Sequence, residues 1–253
     1  MAIVTPTNKE VLDFEGLHLY HAFYSNCSMR VRMTLEEKGL PWVSHHLDLM
    51  KGEHITPEYF GINPNGLVPT LVHDGVVIIE SNDIIDYIDN TFPEPPLKPT
   101  GKQELAEMNE WLRLATSIHL NGVKTYMYAK KFGGKMRKSA EEQSRYRELQ
   151  TNEELLAYHA KVSSEEGITG ADVEVAAKIL RECFTKVEQA LSEHQWLVGD
   201  TFSLADISWI PLHSSLSDAN YPFEEYPKIT AWNKAIHSRA GFQKGVLEWM
   251  KAS

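Results

Sequence analysis

Residues 92–99 read Phe-Pro-Glu-Pro-Pro-Leu-Lys-Pro, four prolines in eight positions. Proline has no N–H to donate to a helix or a ladder, and it drives the residue before it out of the helical region. No helix and no interior strand runs through such a stretch, so it splits the chain into two parts. The texture on its two sides differs. Ahead of it, short β-rich runs mix with helical periodicity; behind it, only helical periodicity is visible. The chain therefore divides into a mixed α/β part at 16–94, a stiff linker at 95–101 and an all-helical part at 102–253. A length of 253 residues suits two modest units.

In the first part, a short apolar strand is predicted at 17–20 after Gly16. A helix comes next at 29–38, with Ser28 as N-cap and Gly39-Leu40-Pro41 as its stop. Residues 42–49 alternate as a strand does, and 69–73 and 76–79 are two β-rich runs joined by Asp74-Gly75, a strong hairpin signal. A helix at 81–90 places Ile84, Ile85 and Ile88 on one face. The order is β-α-β, then β-β-α. In the second part, Leu105, Met108, Leu112, Ala115 and His119 share one stripe of a helix ending near residue 120. Long helices are predicted at 171–194 and 204–219, Cys183 lying on the apolar stripe of the first, and a last helix carries Ile229, Trp232 and Ile236. Residues 130–170 are highly charged and read as one helix flanked by mobile loops, beginning with a basic run from Lys130 to Lys138.

Charge and cysteine content exclude several classes. Asp and Glu number 35 against 25 Lys and Arg, a formal net charge of -10, which argues against nucleic acid and anionic lipid as partners. No apolar run approaches the length of a membrane span, and the polar opening 1–15 lacks the pattern of a secretory signal. The two cysteines, Cys27 and Cys183, are far apart, so a disulfide scaffold is excluded and a cytoplasmic, reducing compartment is expected. Adjacent His45 and His46 point to opposite faces of their strand and cannot chelate one metal together. With no His-Glu-x-x-His and no Cys-x-x-Cys, a metal site is unsupported.

Five ordered motifs carry a resemblance. Residues 19–32 include Tyr24-Ser25-Asn26-Cys27-Ser28-Met29-Arg30-Val31-Arg32; next is Lys51-Gly52-Glu53-His54; then Asn63-Pro64-Asn65-Gly66-Leu67-Val68-Pro69-Thr70-Leu71; then Glu80-Ser81; and last Gly199-Asp200-Thr201-Phe202-Ser203-Leu204-Ala205-Asp206. Together they resemble the glutathione transferase superfamily. The first is most similar to the zeta class and to tetrachlorohydroquinone dehalogenase, and the second and third to the theta and phi classes. The charged segment is similar to that of the dehalogenase and of lignin β-aryl etherases. The resemblance implies a thioredoxin-like βαβ-ββα domain followed by an all-α domain, glutathione as cosubstrate, and a homodimer whose partner covers the face beside Ile84–Ile88.

It also implies site residues, each of which has a plainer alternative. Val68-Pro69 matches the family's cis-proline, which would free the Val68 backbone to pair with the cysteinyl part of glutathione; residues alone favour an ordinary trans bond. Glu80 would accept the glutathione ammonium and Ser81 would meet a carboxylate at a helix start, or the two are simply a cap and a solvated acid. His54 would reach the glycine carboxylate, or it is a surface histidine. Ser25 and Cys27 are the chemical centre. A free thiol near pKa 8.5 is a few per cent ionised at neutral pH, and lowering it by about 2 units takes roughly 2.7 kcal/mol. A hydrogen bond to a charge contributes about 1.5–3 kcal/mol and a helix N-terminus about 0.3–1 kcal/mol, so the Ser25 hydroxyl and the adjoining helix suffice. Cys27 is either a second reactive thiol, capable of mixed-disulfide and reductive-dehalogenation chemistry, or a small packing residue. Asn26 stands where zeta enzymes have a second serine. Ser203 and Asp206 fit a helix-capping box, which is structural.

The acceptor pocket, for a hydrophobic electrophile such as an aryl halide or β-aryl ether, is expected among Trp111, Ile118, Tyr126, Tyr128 and Trp209. A glutathione transferase is the leading reading. A glutathione-dependent reductase using Cys27 and a non-catalytic ligand carrier are the alternatives.

Overall fold

The structure, a computed structural model, describes residues 2–251, and of Met136 only the backbone. The last two residues of the expected helical part lie outside the described residues.

The sheet has five strands: β1 (Ala2–Val4), β2 (Leu17–His21), β3 (Val43–His46), β4 (Thr70–His73) and β5 (Val76–Ile79). Their spatial order is β1-β5-β4-β2-β3. β2 and β3 run parallel and are joined by helix α1 (Asn26–Glu37), while β4 pairs antiparallel with β2 and with β5. This is the expected βαβ-ββα unit. Asp74 and Gly75, at φ 49° and 78°, make the turn between β4 and β5 that their sequence requires. β1 is new. It pairs antiparallel with the edge of β5, so the sheet takes in residues well ahead of 16. Three apolar residues in a polar segment are too short a run to signal a strand; the open edge of β5 selects them.

Alternation along the strands sorts the two faces. Leu17 and Leu19 of β2 and Ile78 of β5 enter a large core together with α1, helix α3 (Ser81–Thr91) and the helical domain. Val72 and Val77 face the opposite way, onto Tyr59 of the one-turn helix α2 (Pro57–Phe60), Ile62 and Val11. Ile84, Ile85 and Ile88 are fully buried in the chain's own large core, so the face expected to await a partner is already covered.

The proline-rich linker is held by side chains. The buried Lys38 ammonium donates to the carbonyls of Phe92 and Pro95 at 2.7 and 2.6 Å and pairs with Asp89 at 2.5 Å. The Asp89 carboxylate also accepts the Leu97 N–H at 2.9 Å. Beyond the linker come α4 (Lys102–Ser117), a short α5 (Thr125–Met127), α6 (Ala140–Leu149), α7 (Glu153–Ser163), α8 (Gly170–Glu193), α9 (Leu204–Asp218) and α10 (Pro227–His237). The charged segment thus forms two helices rather than one. Ser139 with Glu142 caps α6 and Asn152 caps α7, signals that weak amphipathicity obscured. Ser203 and Asp206 form the expected capping box on α9. Asp206 also accepts from the Leu197 N–H and the Trp232 indole at 3.0 and 2.8 Å. Cys183 is buried in the core, as its stripe predicts.

No helix among the described residues is long and apolar enough to cross a membrane.

Candidate functional site

A cavity of about 1130 Å³ opens between the end of the sheet and the helical domain. Its walls include Ser25, Cys27, His54, Val68, Glu80 and Ser81, so the candidate residues from four separate motifs meet in one place. Pro69, whose bond to Val68 is cis, does not itself line the cavity. Gly66, at φ 58°, lines the same edge, and a Cβ there would collide with the Phe60 ring.

Ser25, not Ser28, is the N-cap of α1: the helix starts three residues earlier than its periodicity indicates, and the Ser25 hydroxyl accepts the Ser28 N–H at 3.2 Å. The Ser25 O–H proton is left for an acceptor in the cavity. The apolar stripe of α1 begins only at Met29, which is why the first turn is invisible to a periodicity argument. Asn26 is buried and its side-chain oxygen accepts the Ser215 hydroxyl from α9.

Cys27, in the first turn of α1, is half-buried with Sγ 3.9 Å from His119 Nε2. Burial raises its pKa, but the attraction of His119 and Arg30, with hydrogen bonds from His119 and Ser81, brings the thiol down to about 6. Arg30 is buried beneath it. Its Nε donates to the Ser208 carbonyl at 3.0 Å, Nη1 donates to the Ser81 hydroxyl at 3.1 Å, and Nη2 has no hydrogen-bond partner among the described residues. The Ser81 hydroxyl is therefore engaged with Arg30 and Cys27. Glu80 takes φ 65°, in the left-handed region that non-glycine residues seldom occupy, at a cost of about 1–3 kcal/mol. Its carboxylate accepts the Asn65 amide at 3.3 Å. Burial raises the Glu80 pKa and neighbouring Asp83 adds to the rise, so a cation between them would be stabilised.

Of the five residues expected to line the acceptor side, Tyr128 does so. Trp111, Ile118, Tyr126 and Trp209 instead pack into or against the large core, with the Trp209 indole donating to the Trp111 carbonyl at 3.0 Å. Trp111 and Ile118 belong to α4 and its C-cap and Trp209 to the buried middle of α9, so apolar burial keeps them in the core, whereas Tyr126 follows a change of winding. After α4 the backbone runs as a π-helix over His119–Lys124, with Val123 N–H donating to the Ile118 carbonyl at 3.0 Å. The extra residue in this run shifts the positions after it off the 3.6-residue face, and Val123, Lys124 and Met127 line the cavity together with His119, which stands at the start of the run. His119 was legible only as a polar residue on an apolar stripe.

The basic run is not a free loop. Lys131 pairs with Asp218 at 2.8 Å and lies 4.3 Å above the Tyr24 ring, while Phe132 and Lys138 line the cavity. Gln150, between α6 and α7, donates to the Asn65 carbonyl across the opening at 2.8 Å. Among the described residues, no group of three or more His, Cys, Asp and Glu is placed to hold a metal.

The family model described as glutathione S-transferase, N-terminal domain, matches residues 19–96, and that described as the C-terminal domain matches 126–240. Glutathione S-transferase 1 of Dianthus caryophyllus is 30% identical over 224 residues, 87% of this chain and 87% of its own. Glutathione S-transferase Z2 of Arabidopsis thaliana is 29% identical, covering 92% and 91%. Among solved structures, the β-etherase LigF from Sphingobium sp. strain SYK-6 superposes with a TM-score of 0.80 at 25% identity, over 94% of this chain and 99% of that one.

Proposed function

The chain belongs to the glutathione S-transferase family, and from that premise we propose that Ser25 activates the thiol of bound glutathione for attack on an electrophilic aryl or benzylic carbon. The observation that carries this reading is the convergence of Ser25, the cis Val68–Pro69 bond and Glu80–Ser81 on one cavity. Residues up to 94 hold the peptide and residues from 102 supply the acceptor wall. Glu80, beside Asp83, takes the ammonium of the γ-glutamyl group; the Ser81 end of α3 takes the neighbouring carboxylate; the Val68 backbone pairs with the cysteinyl unit; His54 meets the glycine end.

The Ser25 hydroxyl donates to the sulfur, which favours the thiolate, and the proton leaves to solvent. The thiolate forms a carbon–sulfur bond, and the halide or aryl-ether oxygen departs with the electron pair of the broken bond. The likeness to LigF, a β-etherase, and the aryl-directed resemblances favour this class of acceptor. The reaction serves breakdown or detoxification of aromatic compounds in the cytoplasm, in keeping with two unpaired cysteines. By the habit of the family, the working unit is a homodimer.

A second reading rests on one observation, the Cys27 thiol beside His119 and Arg30. In it, the Cys27 thiolate attacks the glutathionyl sulfur of a mixed disulfide between glutathione and a substrate thiol, releasing the substrate thiolate and forming a Cys27–glutathione disulfide. A second glutathione thiolate then attacks that glutathionyl sulfur, so that Cys27 is freed and oxidised glutathione leaves.

Calorimetry with glutathione tests the common premise. The intact protein is expected to bind, and Glu80→Ala to weaken binding by about tenfold or more as the ligand ammonium loses its partner. An intact protein that takes up no glutathione would falsify the assignment of this cavity.

A further inference from the structure

Four acids among the described residues line the cavity: Glu80, Asp83 and Asp86 gather where the γ-glutamyl end is assigned, and Glu154 stands on α7; Arg30 and Arg113 also line it. The opposite wall carries Lys124 and Lys138 with His54 and His159. Among the described residues neither lysine makes an ion pair with a carboxylate. Lys124 is packed between two aromatic rings, its Nζ 5.4 Å from the Tyr128 centroid and 5.3 Å from that of Tyr158. Lys138 lies 5.6 Å from the Tyr146 centroid. The carboxylate of Glu142 accepts the Ser139 N–H at 2.7 Å and acts on Lys138 through space without forming an ion pair. His54 Nδ1 is buried with no hydrogen-bond partner among the described residues. In a chain whose formal charge is -10, two unpaired ammonium groups on one cavity wall are an exception that an anion would satisfy.

We propose that Lys124 and Lys138 form a carboxylate-binding subsite for the acceptor, so that this transferase conjugates glutathione to aromatic substrates that themselves carry a carboxylate. The inference rests on the transferase reading and names its substrate class. Lys124 belongs to the helical domain and stands close enough to the reaction centre for the Cys27 charge to act on it. Burial lowers the Lys124 pKa to about 8, which still leaves it mostly protonated at neutral pH. Burial, followed by the two lysines, holds His54 at about 3, so that histidine stays a neutral hydrogen-bonding group. Met127 and Tyr128 supply an apolar and aromatic surface for the ring of the acceptor. The glycine carboxylate of glutathione has the same chemistry, and His54 stands nearest to its assigned end, so the two sources must be separated.

Two product analogues separate them without turnover: S-benzylglutathione and S-(4-carboxybenzyl)glutathione, which differ only in the acceptor carboxylate. The unmodified protein is expected to bind the carboxylated conjugate about ten- to a hundredfold more tightly, the effect of a charge-assisted contact. Lys124→Met should remove most of that preference and leave the affinity for S-benzylglutathione near its starting value. Lys138→Met, at a half-buried position outside any helix core, should remove part of it, and serves if the first variant does not fold. Equal affinity of the unmodified protein for the two conjugates overturns the subsite while leaving the transferase reading intact. Equal weakening of both conjugates in the variants assigns the lysines to the glycine carboxylate and also overturns it. Failure of both conjugates to bind rejects the transferase reading and the subsite together.

Discussion

Ser25 and Cys27 stand two residues apart at the start of one helix, and their surroundings give them different work. Ser25 keeps its hydroxyl proton free while its oxygen caps α1. Replacing it with alanine therefore removes two things, a cap worth about 0.5–2 kcal/mol of stability and the donor to the glutathione sulfur. Ser25→Ala is expected to raise the pKa of bound glutathione and to cut aryl-halide conjugation about ten- to a hundredfold. Ser25→Thr retains hydroxyl and cap and should recover much of the rate, which a loss of helix stability alone would not predict for the thiol titration. Cys27→Ser should leave conjugation largely intact; if Ser25→Ala conjugates at the full rate, the roles are misassigned.

Cys27 yields its own pH prediction. Its folded pKa of about 6 lies below the reference 9.0, so the favourable contribution of its thiolate is complete above 9.0 and fades as pH falls through 6. Alkylation of Cys27 by iodoacetamide, without glutathione, should show a midpoint near pH 6, and His119→Ala should move it towards 9.0. A midpoint already near 9.0 in the unmodified protein would refute the electrostatic role of His119.

At the scale of elements, the linker and the end of α1 are one mechanical unit. Lys38 gathers the carbonyls of Phe92 and Pro95 and the carboxylate of Asp89, and Asp89 in turn holds the Leu97 N–H. Prolines stiffen the linker, but they do not say where it lies; a buried ammonium does. Removing one partner of such a pair leaves an uncompensated charge, which costs about 3–5 kcal/mol. Lys38→Ala should therefore lower the urea midpoint with little change in slope. Asp89→Ala should do nearly the same, and the double variant less than the sum. Additive losses would mean that the two side chains act separately. The π-helical run His119–Lys124 shows the same dependence on context: an extra residue in the helix decides which side chains meet the cavity.

The whole molecule is tied together by contacts that no single segment announces. The large core is continuous from the sheet through α1 and α3 into α8, α9 and α10. Gln150 reaches from the charged segment to Asn65, and Lys131 to Tyr24, so that segment roofs the cavity instead of trailing from it. Assembly belongs to this scale. Light scattering at tens of micromolar should give about 58 kDa, twice the 28.8 kDa chain, for the twofold dimer proposed from the family. Since Ile84, Ile85 and Ile88 are buried within the chain, their apolar surface does not drive that pairing. A mass of one chain at that concentration would remove the dimer.

Local chemistry settled much of this protein in advance. Period-two alternation, the Asp74-Gly75 turn, the proline break and the Ser203–Asp206 box depend on neighbours a few residues away, so they are readable along the chain. That Ser25, Cys27, His54, Val68, Glu80 and Ser81 belong to one site was implied by the family resemblance of their motifs, and all six line the cavity. Other features required the fold. β1 exists because β5 offers an unpaired edge, and His119 meets Cys27 across 92 residues of chain because the helical domain packs against the sheet domain in one core. Lys124 and Lys138 acquire a shared purpose only where the fold brings them to one wall. Sequence separation carries no information about such encounters; they are fixed by how packed elements fill space, and that is decided by the tertiary structure alone.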